Sequence, residues 1–206
     1  MRKGGLCALM ISLPLALCAC GTMNSGSDDG MTGDAARILQ EEYRALEGCD
    51  MTARLRCDWE NETADYTLRC HWNAEGPSSI EVLEPEMLAG ICAELEGEQL
   101  TLTYEDVSLA AGTLGSQEIS PVQCLPLMMY AIREGYLLEK GAEKVDGTEC
   151  LRLLFDVTGL RGGKVECAVW FGAGHTPVKA EVLEEGTVLF TAEFTGFSAE
   201  TGEETA

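Results

Sequence analysis

Two alternating stretches constrain this chain more than any other feature. In Met51–Glu60, Ala53, Leu55, Cys57 and Trp59 alternate with Thr52, Arg54, Arg56 and Asp58. After "ENET" the pattern returns, with Tyr66, Leu68, Cys70 and Trp72 set against Thr67, Arg69 and His71. Successive side chains of a strand point to opposite faces, so a period of two predicts a long hairpin with one apolar and one polar face. That apolar face must be buried against a second layer.

Further strand-like segments follow at Ser79–Leu83, Ile91–Leu95, Leu100–Tyr104, Glu149–Val157, Lys164–Phe171, Val178–Leu183 and Val188–Phe197. Turn signals separate them, among them Gly97, Asp146-Gly147, Gly162-Gly163 and Glu185-Gly186. Two segments carry helical spacing instead. In Asp34–Leu46 the apolar positions are Ala35, Ile38, Leu39, Tyr43 and Leu46, and Gly48 ends the helix. In residues 120–137, Ser120 and Pro121 open a helix striped by Val122, Leu125, Met129, Ile132 and Tyr136, which Pro126 must bend or divide. About nine mostly antiparallel strands and two helical segments predict an α+β fold. The sheet is expected to curl into a half-barrel with the helices covering its concave face.

Ahead of this domain the chain opens with basic Arg2-Lys3 and an apolar stretch from Leu6 to Ala19. That is shorter than the ~20 residues a membrane-spanning helix needs, and it has the form of a secretory signal peptide. Leu17-Cys18-Ala19-Cys20-Gly21 resembles the bacterial lipobox, with Cys20 as the lipidated residue and small Ala19 before it. The motif implies a diacylglyceryl, palmitate-bearing Cys20 and a cell-membrane anchor on the extracytoplasmic side. The expected division is a signal peptide over 1–19, lipidated Cys20 and a flexible Gly/Ser/Asp tether over 20–33, a folded domain over 34–198 and a disordered acidic tail over 199–206.

The net charge of −21 becomes −23 once Arg2 and Lys3 leave with the signal peptide. An excess of acid on this scale works against nucleic acid and anionic head groups as partners of the domain surface. Beyond Cys20 the chain carries seven spread cysteines with no CxxC pair, so no zinc-finger spacing is present. Most of them read as small buried hydrophobes, and their disulfide state is left open. "RCDW" at 56–59 and "RCHW" at 69–72 suggest a Cys57–Cys70–His71 ligand set, but alternation puts His71 on the opposite face from both thiols. No cofactor or metal is therefore expected. Neither His71 nor His175 belongs to a nucleophile elbow, an HExxH pair or a phosphate loop, and the chain reads as a binder and not an enzyme.

The order of elements resembles the LolA-like lipoprotein-carrier superfamily of carriers, LolB-like receptors and Gram-positive lipoproteins. The likeness spans roughly residues 34–197. It is strongest in "VECAVWFGAGHTPVKAEVLEEGTVLFTAEFTGF" (Val165–Phe197), a strand–turn–Thr-Pro-Val-Lys–strand–turn–strand meander, and extends to "SSIEVLEPEMLAGICAELEGEQLTLTYEDVSL" (Ser78–Leu109). No arginine here is matched to the one that holds the family's carriers closed. What the resemblance implies is a hydrophobic cavity between curved sheet and helical lid. Its candidate lining is Trp59, Trp72, Tyr104, Met128, Met129, Ile132, Phe155 and Phe171, and its ligand would be a lipid, acyl chain or lipopeptide. Two readings stay open. In one the cavity is in use; in the other the chain is an anchored adaptor that binds a cell-envelope protein through its acidic surface or a sheet edge, with those residues filling an ordinary core.

Overall fold

The computed structural model describes residues 28–59, 62–113, 119–158 and 164–201. The stretch read as a signal peptide, Cys20, the start of the expected tether and residues 202–206 lie outside these.

Helix α1 (Asp28–Arg44) leads into β1 (Leu46–Trp59) and β2 (Glu62–Asn73), the predicted hairpin. Then come β3 (Ser78–Glu84), β4 (Cys92–Glu96), β5 (Gln99–Tyr104) and β6 (Val107–Thr113). A 3-10 turn (Pro121–Gln123) and helix α2 (Cys124–Glu134) separate these from β7 (Tyr136–Val145), β8 (Thr148–Asp156), β9 (Val165–Phe171), β10 (Pro177–Glu184) and β11 (Thr187–Thr201). The eleven strands form one antiparallel sheet in the order β6-β5-β4-β3-β2-β1-β11-β10-β9-β8-β7. It is curved and unclosed. Two meanders, β1–β6 and β7–β11, meet where β1 pairs with β11.

The sheet thus has eleven strands where the alternation predicts about nine. The additional two are β6 and β7, its two edges. Neither has a fully buried residue among those described, so a clean apolar alternation is missing and the period-two signal is silent there. In β1 the alternation holds as read: Met51, Ala53, Leu55 and Cys57 are buried while Arg54 and Arg56 are exposed. Tight turns close the meanders where predicted, with Asp146-Gly147 and Glu185-Gly186 at positive φ, the geometry of two-residue hairpin loops.

Both helices differ from their predicted limits. α1 starts at Asp28, so the last residues read as tether are helical, and it ends at Arg44, with Leu46 already in β1. Its buried face is Ala36, Leu39 and Tyr43, while Ile38 is exposed. Pro126 falls in the first turn of α2, where its missing N–H leaves no intrahelical bond unmade. Tyr136, read as the end of this helix, is the exposed first residue of β7. Gly135 makes that switch: a Cβ there would lie 2.4 Å from the Ala131 carbonyl oxygen. β11 runs on to Thr201, which pairs with Leu46, so the first residues of the expected tail are strand.

α2 packs on the concave face against β2, β8, β9 and β10, and α1 packs on α2 and β7. The helix ends satisfy one another's carbonyls. Gln40 Nε2 donates to Ile132 O (3.1 Å) and Arg44 Nε donates to Arg133 O (2.6 Å). In return, Arg133 donates to Tyr43 O (3.0 Å) and Leu46 O (2.8 Å), with its guanidinium 4.9 Å over the Trp72 ring. Those of Tyr43, Ile132 and Arg133 are carbonyls a helix C-terminus leaves unpaired, and that of Leu46 opens β1.

Candidate binding surface

The structure sorts the eight predicted lining residues into two groups. Met128, Met129, Ile132, Phe155 and Phe171 are fully or almost fully buried in one core cluster, and Trp72 joins them beneath Arg133. A void wide enough for water would expose the side chains around it. The first five residues therefore border no water-sized void. Six of the seven described cysteines share that burial, as their placement in the alternation predicts. Burial pushes the Cys57 and Cys167 thiols up to about 12. Cys49 reaches about 12 as well, from burial and then the neighbouring Asp50. Cys57 and Cys70 face inward and His71 outward, so that ligand set is separated as expected.

The remaining two predicted residues are exposed, each at the last position of its strand. Trp59, 43% exposed, ends β1 beside Val188 and Leu189 in an open cleft of ≈ 900 Å³. The cleft's rim carries Asp58, Glu62, Glu184 and Glu185. Tyr104, 51% exposed, pairs with Val107 at the β5–β6 turn.

The second location belongs to a larger surface. Residues directly opposite in antiparallel strands share a face. The pairings Met51–Cys70, Cys70–Ile80, Ile80–Ala93, Ala93–Leu102 and Leu102–Leu109 therefore trace one row across the concave side from β1 to β6. The first four residues are buried, Leu102 is half-buried, and Leu109 is 63% exposed. Val107 beside it is 70% exposed. The helices contact β2 and the β7–β10 half, and the apolar face continues past them to the β6 edge.

The two edges are built differently. β7, "YLLEKGAEKV", carries Glu139, Lys140, Glu143 and Lys144, whereas β6, "VSLAAGT", carries no charge. Inserted charge is the usual guard of an exposed edge against pairing with another strand. β6 therefore offers unguarded backbone donors and acceptors alongside apolar side chains. Sequence reasoning missed Val107 and Leu109 because neither face of β6 is buried. The available signal was the Glu105-Asp106 turn after "LTLTY", which returns an apolar run opposite a recognised strand.

No protein-family model matches the sequence, and no match emerges among curated proteins. Similar solved structures exist. One is a LolA superfamily protein from Nitrosomonas europaea, with TM-score 0.41 and 13% identity, covering 79% of this chain and 92% of that one. Another is the lipoprotein LppX of Mycobacterium tuberculosis, with TM-score 0.41 and 13% identity over 83% of this chain and 96% of that one. A third is a DUF1329 family protein from Desulfovibrio piger, with TM-score 0.46 and 10% identity over 85% and 95%. No helix among the described residues is long and apolar enough to cross a membrane.

Proposed function

We propose that this chain is a non-enzymatic, lipid-anchored lipoprotein of the extracytoplasmic face, held at the membrane by diacylglyceryl-Cys20, that docks an extended segment of a cell-envelope protein. The observation that carries the reading is β6, an uncharged edge strand that continues the sheet's apolar row into solvent. A peptide adding to that edge gains main-chain hydrogen bonds from the strand and side-chain contacts with Val107, Leu109 and Tyr104. An acyl chain would use only the side chains. The packing of Met128, Met129, Ile132, Phe155 and Phe171 against one another favours this reading over a ligand held beneath the lid.

The test compares the two edges. Membranes carrying the full chain are cross-linked, and partners are recovered with wild type, Leu109→Lys and Tyr136→Lys. Loss of the partner in the first variant and retention in the second is expected. Equal capture by all three removes β6 from the interface. Native mass spectrometry with a fatty-acyl probe tests the ligand reading directly: stable uptake that survives Leu109→Lys returns the site to a cavity under α2. For the anchor, Cys20→Ala is expected to release the protein from the membrane fraction or stall its processing. Unchanged membrane retention refutes the lipidation.

A further inference from the structure

We propose that Asp50, His71 and Glu200 form a site for a divalent transition-metal ion of the zinc type, on the outer face of the sheet where its two meanders join. The three residues stand on adjacent central strands. Asp50 of β1 is directly opposite His71 of β2, and Gly48 of β1 is directly opposite Glu200 of β11. One ligand atom from each lies within 4.8 Å of the others, and His71 Nδ1 is already 3.1 Å from Asp50 Oδ1. Tetrahedral zinc with bonds of ~2.1 Å sets its ligand atoms about 3.4 Å apart. The Asp50–His71 pair, at 3.1 Å, is close to that spacing, and Glu200, whose ligand atom lies within 4.8 Å of theirs, reaches it by a side-chain movement of up to about 1.4 Å.

Gly48 is what lets Glu200 reach the pair. A Cβ at position 48 would lie 2.8 Å from Glu200 Oε2. The carboxylate thus lies across the β1 backbone in the space a side chain would take, on the side where Asp50 and His71 meet. Glycine inside a strand costs stability and marks a close approach; here the approaching group is a potential ligand. The donor set of one imidazole nitrogen and two carboxylates suits zinc and its neighbours, whereas calcium and magnesium favour all-oxygen shells. Water would complete the coordination. The strongly acidic chain raises the local concentration of any cation, but only a built site discriminates between cations. Such an ion would bridge β2, β1 and β11 and clasp the end of the last strand to the first.

The test is calorimetric titration of the full chain in detergent micelles with zinc chloride, after accessible thiols such as Cys92 have been alkylated. One saturable equivalent is expected, with no comparable binding of magnesium or calcium. His71→Ala and Glu200→Gln, both at exposed or half-exposed positions, should each weaken it about 10-fold or more. Gly48→Ala leaves all three ligands in place and should still weaken it by displacing Glu200. Circular dichroism and the metal-free Tm show that each variant is folded, and zinc should raise Tm in wild type alone. Absence of saturable uptake, equal affinity in His71→Ala, or equal binding of calcium overturns the site. A Gly48→Ala protein that folds and binds zinc as wild type does removes the glycine's role and overturns the assignment of Glu200.

Discussion

β9 buries all seven of its residues, and β6 exposes each of its described side chains from Val107 to Gly112. Both strands belong to the same antiparallel sheet, so backbone pairing does not distinguish them. What differs is cover. On the concave side, β9 lies under α2 through Val165, Cys167, Val169 and Phe171. On the outer side, Trp170 donates to Glu143 (2.8 Å) and lies beneath Arg152 and Lys179, whose charged groups are 5.3 and 4.7 Å from its ring. The long charged side chains roof the indole with their stems and leave their heads in water. Among the described residues, none roofs β6 in this way. One sheet therefore holds a strand covered on both faces and another whose described residues are exposed on both.

The sharpest way to break that contrast is truncation. Phe155→Ala in the covered half is expected to cost about 3–5 kcal/mol in urea unfolding, whereas Leu109→Ala should stay within about 0.5 kcal/mol. A comparable loss at Leu109 would mean that β6 is structural. Gly135→Ala drives a Cβ against Ala131 O and to 2.9 Å from Phe155 Cβ, and should cost about 1–3 kcal/mol. Gly141→Ala on the β7 edge meets nothing within 4 Å; it should be neutral or raise stability by roughly 0.5 kcal/mol.

A pH titration sharpens the same contrast through the buried thiols. Cys167 ionises near 9 when unfolded and at about 12 in the fold. Over that window the unfolded chain has lost a proton that the native state keeps, so stability is full below pH 9 and falls as pH rises toward 12. Cys167→Ala should flatten the fall in Tm. At pH 8 iodoacetamide should modify Cys92 and spare Cys167; rapid labelling of Cys167 in the folded protein would show that the covered half opens. The smallest effect belongs to the exposed Arg37–Glu41 pair (2.7 Å) on α1. Glu41→Gln should cost about 0.3–0.5 kcal/mol, and less in high salt.

Legibility in the sequence follows cover. Where one face is buried and the other wet, as in the β1–β2 hairpin, alternation gives the strands and the direction each side chain faces, down to the separation of Cys57 and Cys70 from His71. Where no described residue is fully buried, at β6 and β7, pairing with β5 and β8 makes the strand and no periodic trace is left. The candidate surface lies in that silent region, so aromatic and Met residues drew attention to the core instead. Arg133 was equally hidden. Its partners are the carbonyls of Tyr43 in α1 and Leu46 in β1 and the Trp72 ring, brought together only when both helices have packed. The diagonal reach of Glu200 over Gly48 needs the β1–β11 register, which joins residues from the two ends of the domain.

That register also shapes how the chain folds. Every other strand pairs with a neighbour in sequence, so each meander can close through short loops. The central β1–β11 pair joins residues more than 130 positions apart. It must pay the closure entropy of nearly the whole domain before any of its bonds form. Until Thr187–Thr201 arrives, β1 has only one partner and the two meanders have no shared centre. A chain threaded across a membrane from its N-terminus would stay unable to complete its sheet until its last strand emerged, a delay that keeps it compatible with export in an unfolded state.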